Sequence, residues 1–311
     1  MPYPEKRSGF RVPGWKPKGA FYQDATRNPK PETRNSKLRV NKLRARGVTL
    51  VEMIIVIVIT GILAAAVAVF IRRPVEGYID AARRAELSDI ADTALRRITR
   101  DLRTALPNSI RITTAGGVNY LEYLQTSGGG RYRAEPDSGG GGNVLDFTIP
   151  AGVGLFDVIG PMPAMSATDS IVIYNLNASG ATLNAYAGDN REGYASDNGT
   201  TITLDAAKQF PQASPGKRFQ VVQFAVTYAC NPATGELRRY WNYGILAAQP
   251  TPPGGGSNAL LATNIPTSGC SFSYTTSGAT GRTGVVALTL QISQGGETVM
   301  LFQQVHVGNA P

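Results

Sequence analysis

One carboxylate stands where carboxylates are costly. Glu52 lies five residues past Gly47, and the nineteen residues that follow it, 53–71, carry no charge. On insertion scales an acid at the centre of a membrane helix costs about 2.5–3.5 kcal/mol, and less toward the interface, so Glu52 calls for a positive partner. The peptide bond after Gly47 can supply one. If it is hydrolysed, the new ammonium group of Val48 lies four residues, about one helical turn, from Glu52. That ammonium, or the same group of a neighbouring chain, can neutralise the acid.

No other set of side chains offers chemistry of comparable definition. The sole histidine, His306, sits between Val305 and Val307 with no catalytic company, and is expected to be structural; no active site and no cofactor are expected. Two cysteines, Cys230 and Cys270, lack the companions of a zinc site; they read either as a disulfide or as two buried thiols. "GDNREGYASDNG" (188–199) collects oxygen ligands without the spacing of a calcium loop, so it is expected to be a polar loop and no metal site. Arg131 with Arg133, Lys217 with Arg218 and Arg238 with Arg239 lie near Tyr132, Tyr240 and Trp241, as a nucleic-acid surface would require. They are expected to be solvated loop charges, with no nucleic acid bound. The aromatics of "YWNY" (240–243) are expected to pack in the sheet rather than to contact an adhesion ligand.

The elements that must position Glu52 follow from charge and hydropathy. The chain has 311 residues and a formal charge of +9, but residues 1–47 hold thirteen Lys and Arg against three acids, so the rest carries a net charge of −1. The basic character therefore belongs to a Pro-rich, solvated leader and argues against a nucleic-acid-binding body. Residues 48–71 are long enough to span roughly 30 Å of hydrocarbon as a helix, and the thirteen positive charges ahead of them place the N-terminus inside. A cysteine pair beyond such a span fits an oxidising compartment.

After Pro74, apolar residues recur three or four apart as far as Leu106, with Asp80/Arg84 and Asp92/Arg96 at i,i+4; the pattern predicts an amphipathic helix ending before Pro107, with a bend at Pro74 and Gly77. From residue 108 the texture is that of strands: "NYLEYLQ" (119–125), "NVLDFTIP" (143–150), "DSIVIYNL" (169–176), "TTITLD" (200–205), "RFQVVQFAVTYAC" (218–230), "ELRRYWNYGI" (236–245), "GCSFSYTT" (269–276), "GVVALTLQIS" (284–293) and "ETVMLFQQVHV" (297–307). "CNPATGEL" and "SQGGET" read as hairpin turns. "SGGGRYRAEPDSGGGG" (127–142) and "QPTPPGGGSN" (249–258) read as loops with no phosphate-cradling ending. The expected class is α+β: a long N-terminal helix packed on a mainly antiparallel sheet. It divides into a leader (1–47), a membrane helix (48–73), an amphipathic helix (74–106) and a β-rich head (107–311).

The stretch "RGVTLVEMIIVIVITGILAA" resembles the type IV prepilin signature: a basic leader ending in Gly, a hydrophobic residue, Thr-Leu-Val-Glu, and a long apolar run. The resemblance implies cleavage between Gly47 and Val48 by the membrane-embedded prepilin peptidase, N-methylation of Val48, and a role for Glu52 in setting subunit registry. Val48 departs from the Phe or Met more usual there. "RFQVVQFAVTYACNPATGELRRYWNYGI", "CSFSYTT", "GVVALTLQIS" and "QQVHVGNAP" are similar to the MshO-type minor pilins of the mannose-sensitive haemagglutinin (MSHA) pilus. The layout is more distantly similar to PilW-type minor pilins and to J-type minor pseudopilins of type II secretion. What this implies is a scarce subunit at or near a filament tip, anchored once in the inner membrane with a periplasmic head. Its partners would be the peptidase, other major and minor pilins and the inner-membrane assembly platform. A membrane-anchored binding domain unrelated to filaments is the reading in a different class. The forty-seven-residue leader is long for such a signal, and Val40 is expected to be the true translation start.

Overall fold

The computed structural model describes residues 47–276 and 283–311; the basic leader expected over 1–46, with the start expected at Val40, lies outside the described residues. The chain falls into two units, Met1–Ile62 and Leu63–Pro311. Among the described residues there is one α-helix, α1 (Leu50–Leu102), which contributes its first thirteen residues to the former and the rest to the latter.

α1 continues through Pro74 and Gly77 without a break, where the sequence predicts a bend. Proline removes one helical donor, but the surrounding turn is exposed, and Arg72 and Glu76 pair across it at 2.8 Å. Asp92 and Arg96 form their expected pair at 2.6 Å, whereas Arg84 turns away from Asp80 to meet Glu297 at 2.8 Å and Asp80 pairs with Arg83. The helix ends at Leu102, one turn before the expected stop. Thr104 and Ala105 donate to the carbonyls of Asp101 and Leu102, three back, and the Leu106 N–H leaves for the Leu124 carbonyl in the sheet.

Leu87, Ala91, Ala94, Leu95, Ile98 and Leu102 repeat three or four apart and are all buried. They meet residues of two sheets. The larger holds β1 (Arg111–Ala115), β2 (Val118–Tyr132), β3 (Val153–Ile159), β4 (Ser170–Ile173), β5 (Arg191–Asp197), β6 (Thr201–Lys208), β7 (Arg218–Asn231), β8 (Glu236–Trp241) and β9 (Ser257–Ala262), in the order β1-β2-β3-β6-β5-β4-β7-β8-β9. The smaller holds β10 (Cys270–Thr276), β11 (Thr283–Gln294) and β12 (Glu297–Gly308) in sequence order. Every pairing is antiparallel.

β2 and β7 also pair with each other, over Asn119–Arg131 against Cys230–Arg218, which closes β2, β3, β6, β5, β4 and β7 into a six-stranded ring. The ring has its own core, including Tyr132, Phe156, Ile171, Ile202, Phe219 and Val221. The other ends of β2 and β7 supply Leu121, Tyr123, Val226 and Tyr228 to the core under α1. Register shifts at Gln125/Thr126 and Thr126/Gly128 mark where the paired strands pass from one core to the other, as bulges do where a sheet must bend.

The ring corrects two sequence expectations. Gly128, Gly129 and Gly130 belong to β2 rather than to a loop: a Cβ on Gly129 would stand 2.6 Å from the Phe219 carbonyl oxygen, and one on Gly130 2.8 Å from the Phe219 ring. Only glycine lets these strands approach so closely. "NVLDFTIP" forms no strand. Its backbone bonds leave the segment one at a time, Leu145 N–H to Arg133 and the Asn143 carbonyl to Asp157 N–H, while Leu145 plugs the ring. Both expected hairpins form, β7–β8 and β11–β12, the latter through Gly295 and Gly296 at φ +59° and +88°.

Candidate functional site: the helix start and its anchor in the head

Thr49 fixes where α1 begins. Its hydroxyl accepts the Glu52 N–H at 3.2 Å and its carbonyl accepts the Met53 N–H at 3.1 Å, so Thr49 is the N-cap and Glu52 the third residue of the helix. The Thr-x-x-Glu spacing is that of a capping box, a signal in the sequence that explains the helix start independently of any resemblance. A carboxylate in the first turn also sits favourably against the helix dipole. Among the described residues the Glu52 side chain has no hydrogen bond and no ion pair.

The structure places Gly47 and Val48 immediately before this cap, all exposed, and a Cβ on Gly47 would touch nothing within 4 Å. The helix is long and apolar enough to cross a membrane, and none of its most apolar stretch is buried. Leu50, Ile57, Ile62 and Phe70 are among the side chains left uncovered.

At its other end α1 is locked into the head by charge as well as packing. Asp101, in the last turn, accepts hydrogen bonds from Tyr228 Oη at 2.7 Å and Arg239 Nε at 2.8 Å, and pairs with Arg97 at 3.2 Å. The sequence suggests a solvated Arg239; its guanidinium is buried, over the Trp241 ring. A second buried acid, Glu122, takes Arg111 Nε at 2.6 Å and the Tyr243 hydroxyl at 2.9 Å. Burial pushes the Glu122 carboxyl above its ordinary range, and Arg111 and Tyr243 only partly offset that. Neither acid is marked out in the sequence, because its buried partners lie on other elements.

The remaining candidates separate in space and in role. Cys230 is the penultimate residue of β7, Cys270 opens β10, and the two are joined as a disulfide with Cα atoms 6.6 Å apart, tying the large sheet to the small one. His306 points outward from β12 while Val305 and Val307 point in, the period-two alternation of a strand. Of the basic pairs, Arg133, Lys217, Arg238 and Arg239 are ion-paired with Asp157, Glu135, Glu236 and Asp101. Tyr132 and Tyr243 are buried and Tyr240 and Trp241 half-buried, so these aromatics pack against the sheet. The segment 188–199 is largely strand β5. Asp189 holds the N–H groups of Leu183 and Asn184, and Asp197 takes the Tyr194 hydroxyl. No group of three His, Cys, Asp or Glu suited to a metal ion occurs among the described residues.

The family described as the prokaryotic N-terminal methylation motif matches residues 42–68, which span the cap and the first turns of α1. No curated protein and no solved structure matches the chain. The motif suggests a structural, non-enzymatic protein, processed by prepilin peptidase and partnered by pilins, and with the one apolar helix among the described residues it fits a single-pass membrane anchor. The N-terminal segment thus carries a type IV pilin-like prepilin signal, which supports the pilin and pseudopilin superfamily for this chain.

Proposed function

We propose that the chain is a minor pilin of a type IV pilus of the MSHA kind, acting at or near the filament tip to start assembly. Prepilin peptidase cuts between Gly47 and Val48, the Val48 amine is methylated, and Glu52 then sets the registry of one subunit on the next. The observation that carries this reading is the methylation motif over 42–68 opening onto a capped helix whose Glu52 carboxylate is unpaired among the described residues. An acid held at the top of an apolar helix is stabilised when an ammonium group comes within reach, and a filament of such helices brings one. The uncovered apolar half of α1 passes from lipid to the packed interior of the filament, while residues 87–102 stay committed to the head.

The test is the N-terminal residue of the exported chain. Mass spectrometry is expected to find methylated Val48 when prepilin peptidase is present and the uncut chain when it is absent; a mature chain beginning elsewhere overturns the proposal. The same motif also serves a J-type minor pseudopilin of type II secretion. Rescue of pilus assembly in a minor-pilin deletion strain, without rescue of secretion, separates the two.

A further inference from the structure

The head carries a polar cleft that the assembly role does not use. It encloses about 720 Å³ on the outside of the ring where β4, β5 and β7 run side by side, a size usual for small-ligand sites. Arg191 lines it with no hydrogen bond or ion pair among the described residues. Lys208 lines it too, held by one bond to the Gly188 carbonyl at 2.8 Å, which leaves two of its N–H donors open. Glu192 is the one acid among the lining residues, and the Asp205 carboxylate lies behind it against Gly193. Burial lowers the affinity of Arg191 for its proton, the mark of a charge held away from water, with Glu192 acting against it.

The other walls are side-chain amides, hydroxyls and one ring. Gln223 falls in the register gap between Phe224 and Val222, where β7 bulges against β2, and the bulge aims it into the cleft. Ser170 and Asn242 stand beside it, and Phe224 gives a half-buried aromatic surface. None of the polar three has a hydrogen-bond partner among the described residues. β4 is flanked on both sides by β5 and β7, so the site has no free edge to which a peptide strand could add. Recognition here must be by side chains.

The geometry points to a binding site for an acidic saccharide, with Arg191 and Lys208 holding its anionic group, Gln223, Asn242 and Ser170 reading its hydroxyls, and Phe224 facing a sugar ring. Amides and hydroxyls both donate and accept, as sugar hydroxyls require, and a guanidinium takes a carboxylate or sulfate through two parallel bonds. The site is independent of the pilin reading: it stands or falls on the head alone.

Calorimetric titration of the full chain in a sugar-free zwitterionic detergent tests it. Tri-galacturonate is expected to bind with a Kd below about 1 mM, and neutral galactotriose at least about tenfold more weakly. A sulfated disaccharide that binds at least about tenfold more tightly than tri-galacturonate supports the site and assigns the anion as sulfate. Arg191→Gln is expected to weaken tri-galacturonate about tenfold or more, and Asn242→Gly, which keeps the left-handed backbone at φ +60° while removing the amide, to weaken it severalfold. Saturable binding absent up to about 10 mM for both acidic probes, equal affinity for the neutral sugar, or indifference to both substitutions overturns the proposal.

Discussion

Asp101 and Arg239 meet at 2.8 Å, both buried, one in the last turn of α1 and the other in β8. The pair ties the helix that carries the anchor to the sheet that forms the head. Removing Asp101 leaves Arg239 buried and uncompensated, which costs about 3–5 kcal/mol, whereas removing Arg239 leaves Asp101 with Arg97 and Tyr228. Asp101→Ala is expected to destabilise the head by that amount in denaturant titrations, and Arg239→Ala by less. The double substitution is expected to cost less than the sum, because each single breaks the same Asp101–Arg239 contact and the double breaks it only once.

Asp157 gives the head an acid limit. Burial works against its charge, but Asn143, Thr201 and Arg133 bond the carboxylate and hold its pKa down to about 2, against 3.8 ordinarily. A depressed carboxyl stabilises the fold while ionised, so this contribution is full above the unfolded value, declines as pH falls below 3.8, and is gone below about 2. Glu122 works in the opposite sense: its raised pKa makes the fold gain stability as pH falls toward 4.5. Acid unfolding followed by Trp fluorescence is expected to show the loss between pH 4 and 2, and Asp157→Asn to flatten it.

The close approach at Gly129 is expected to be intolerant of a single added carbon. Gly129→Ala forces its Cβ against the Phe219 carbonyl and should cost about 1–3 kcal/mol. Gly154→Ala, whose Cβ meets only Ala207 at 4.0 Å, is expected to be close to neutral. Equal denaturation midpoints for the two would contradict the tight β2–β7 contact.

The cap makes a local prediction. Thr49→Ala removes the acceptor of the Glu52 N–H and should cost about 1 kcal/mol at the helix start. Amide exchange in micelles is expected to quicken at Glu52 and Met53 and to stay unchanged beyond the next turn. Glu52→Ala, by contrast, keeps the cap. Under the proposed function it should leave cleavage intact while cutting recovery in sheared filaments at least about tenfold.

Reduction supplies the last test. The bond between Cys230 and Cys270 closes a loop with a sequence separation of 40, and chain entropy assigns such a loop about 4 kcal/mol. Dithiothreitol, or Cys230→Ala with Cys270→Ala, is expected to lower head stability by up to that amount and to leave the α1–β8 pair at Asp101 in place.

What could be read in advance followed from local pattern. The uncharged run, the three-and-four spacing of Leu87, Leu95, Ile98 and Leu102, and the alternation in β7, β11 and β12 each announce their element within a few residues. β1, β3, β5 and β9 do not: "REGYASD" in β5 is mostly polar, and "SNALLA" in β9 has no clear alternation. β1 and β2 join through Gly116 and Gly117, whose positive φ values of +59° and +79° are those of a two-residue hairpin turn. The ring was hidden for a different reason. It depends on β2 finding β7 some ninety residues on, and on three glycines that look like a loop until Phe219 is set against them. Buried Asp101 was equally opaque, since Arg239 is 138 positions away.

β2 and β7 are long strands, fifteen and fourteen residues, and each runs through both the helix-packed core and the closed ring. Neither core can therefore melt while the other keeps its pair of strands intact. The head should come apart in one cooperative step, and amides of the ring far from α1 should exchange with solvent at the same free energy as those beneath it. A force or a mutation that loosens the helix dock is then felt at the sugar-facing rim, with no hinge between them to absorb it.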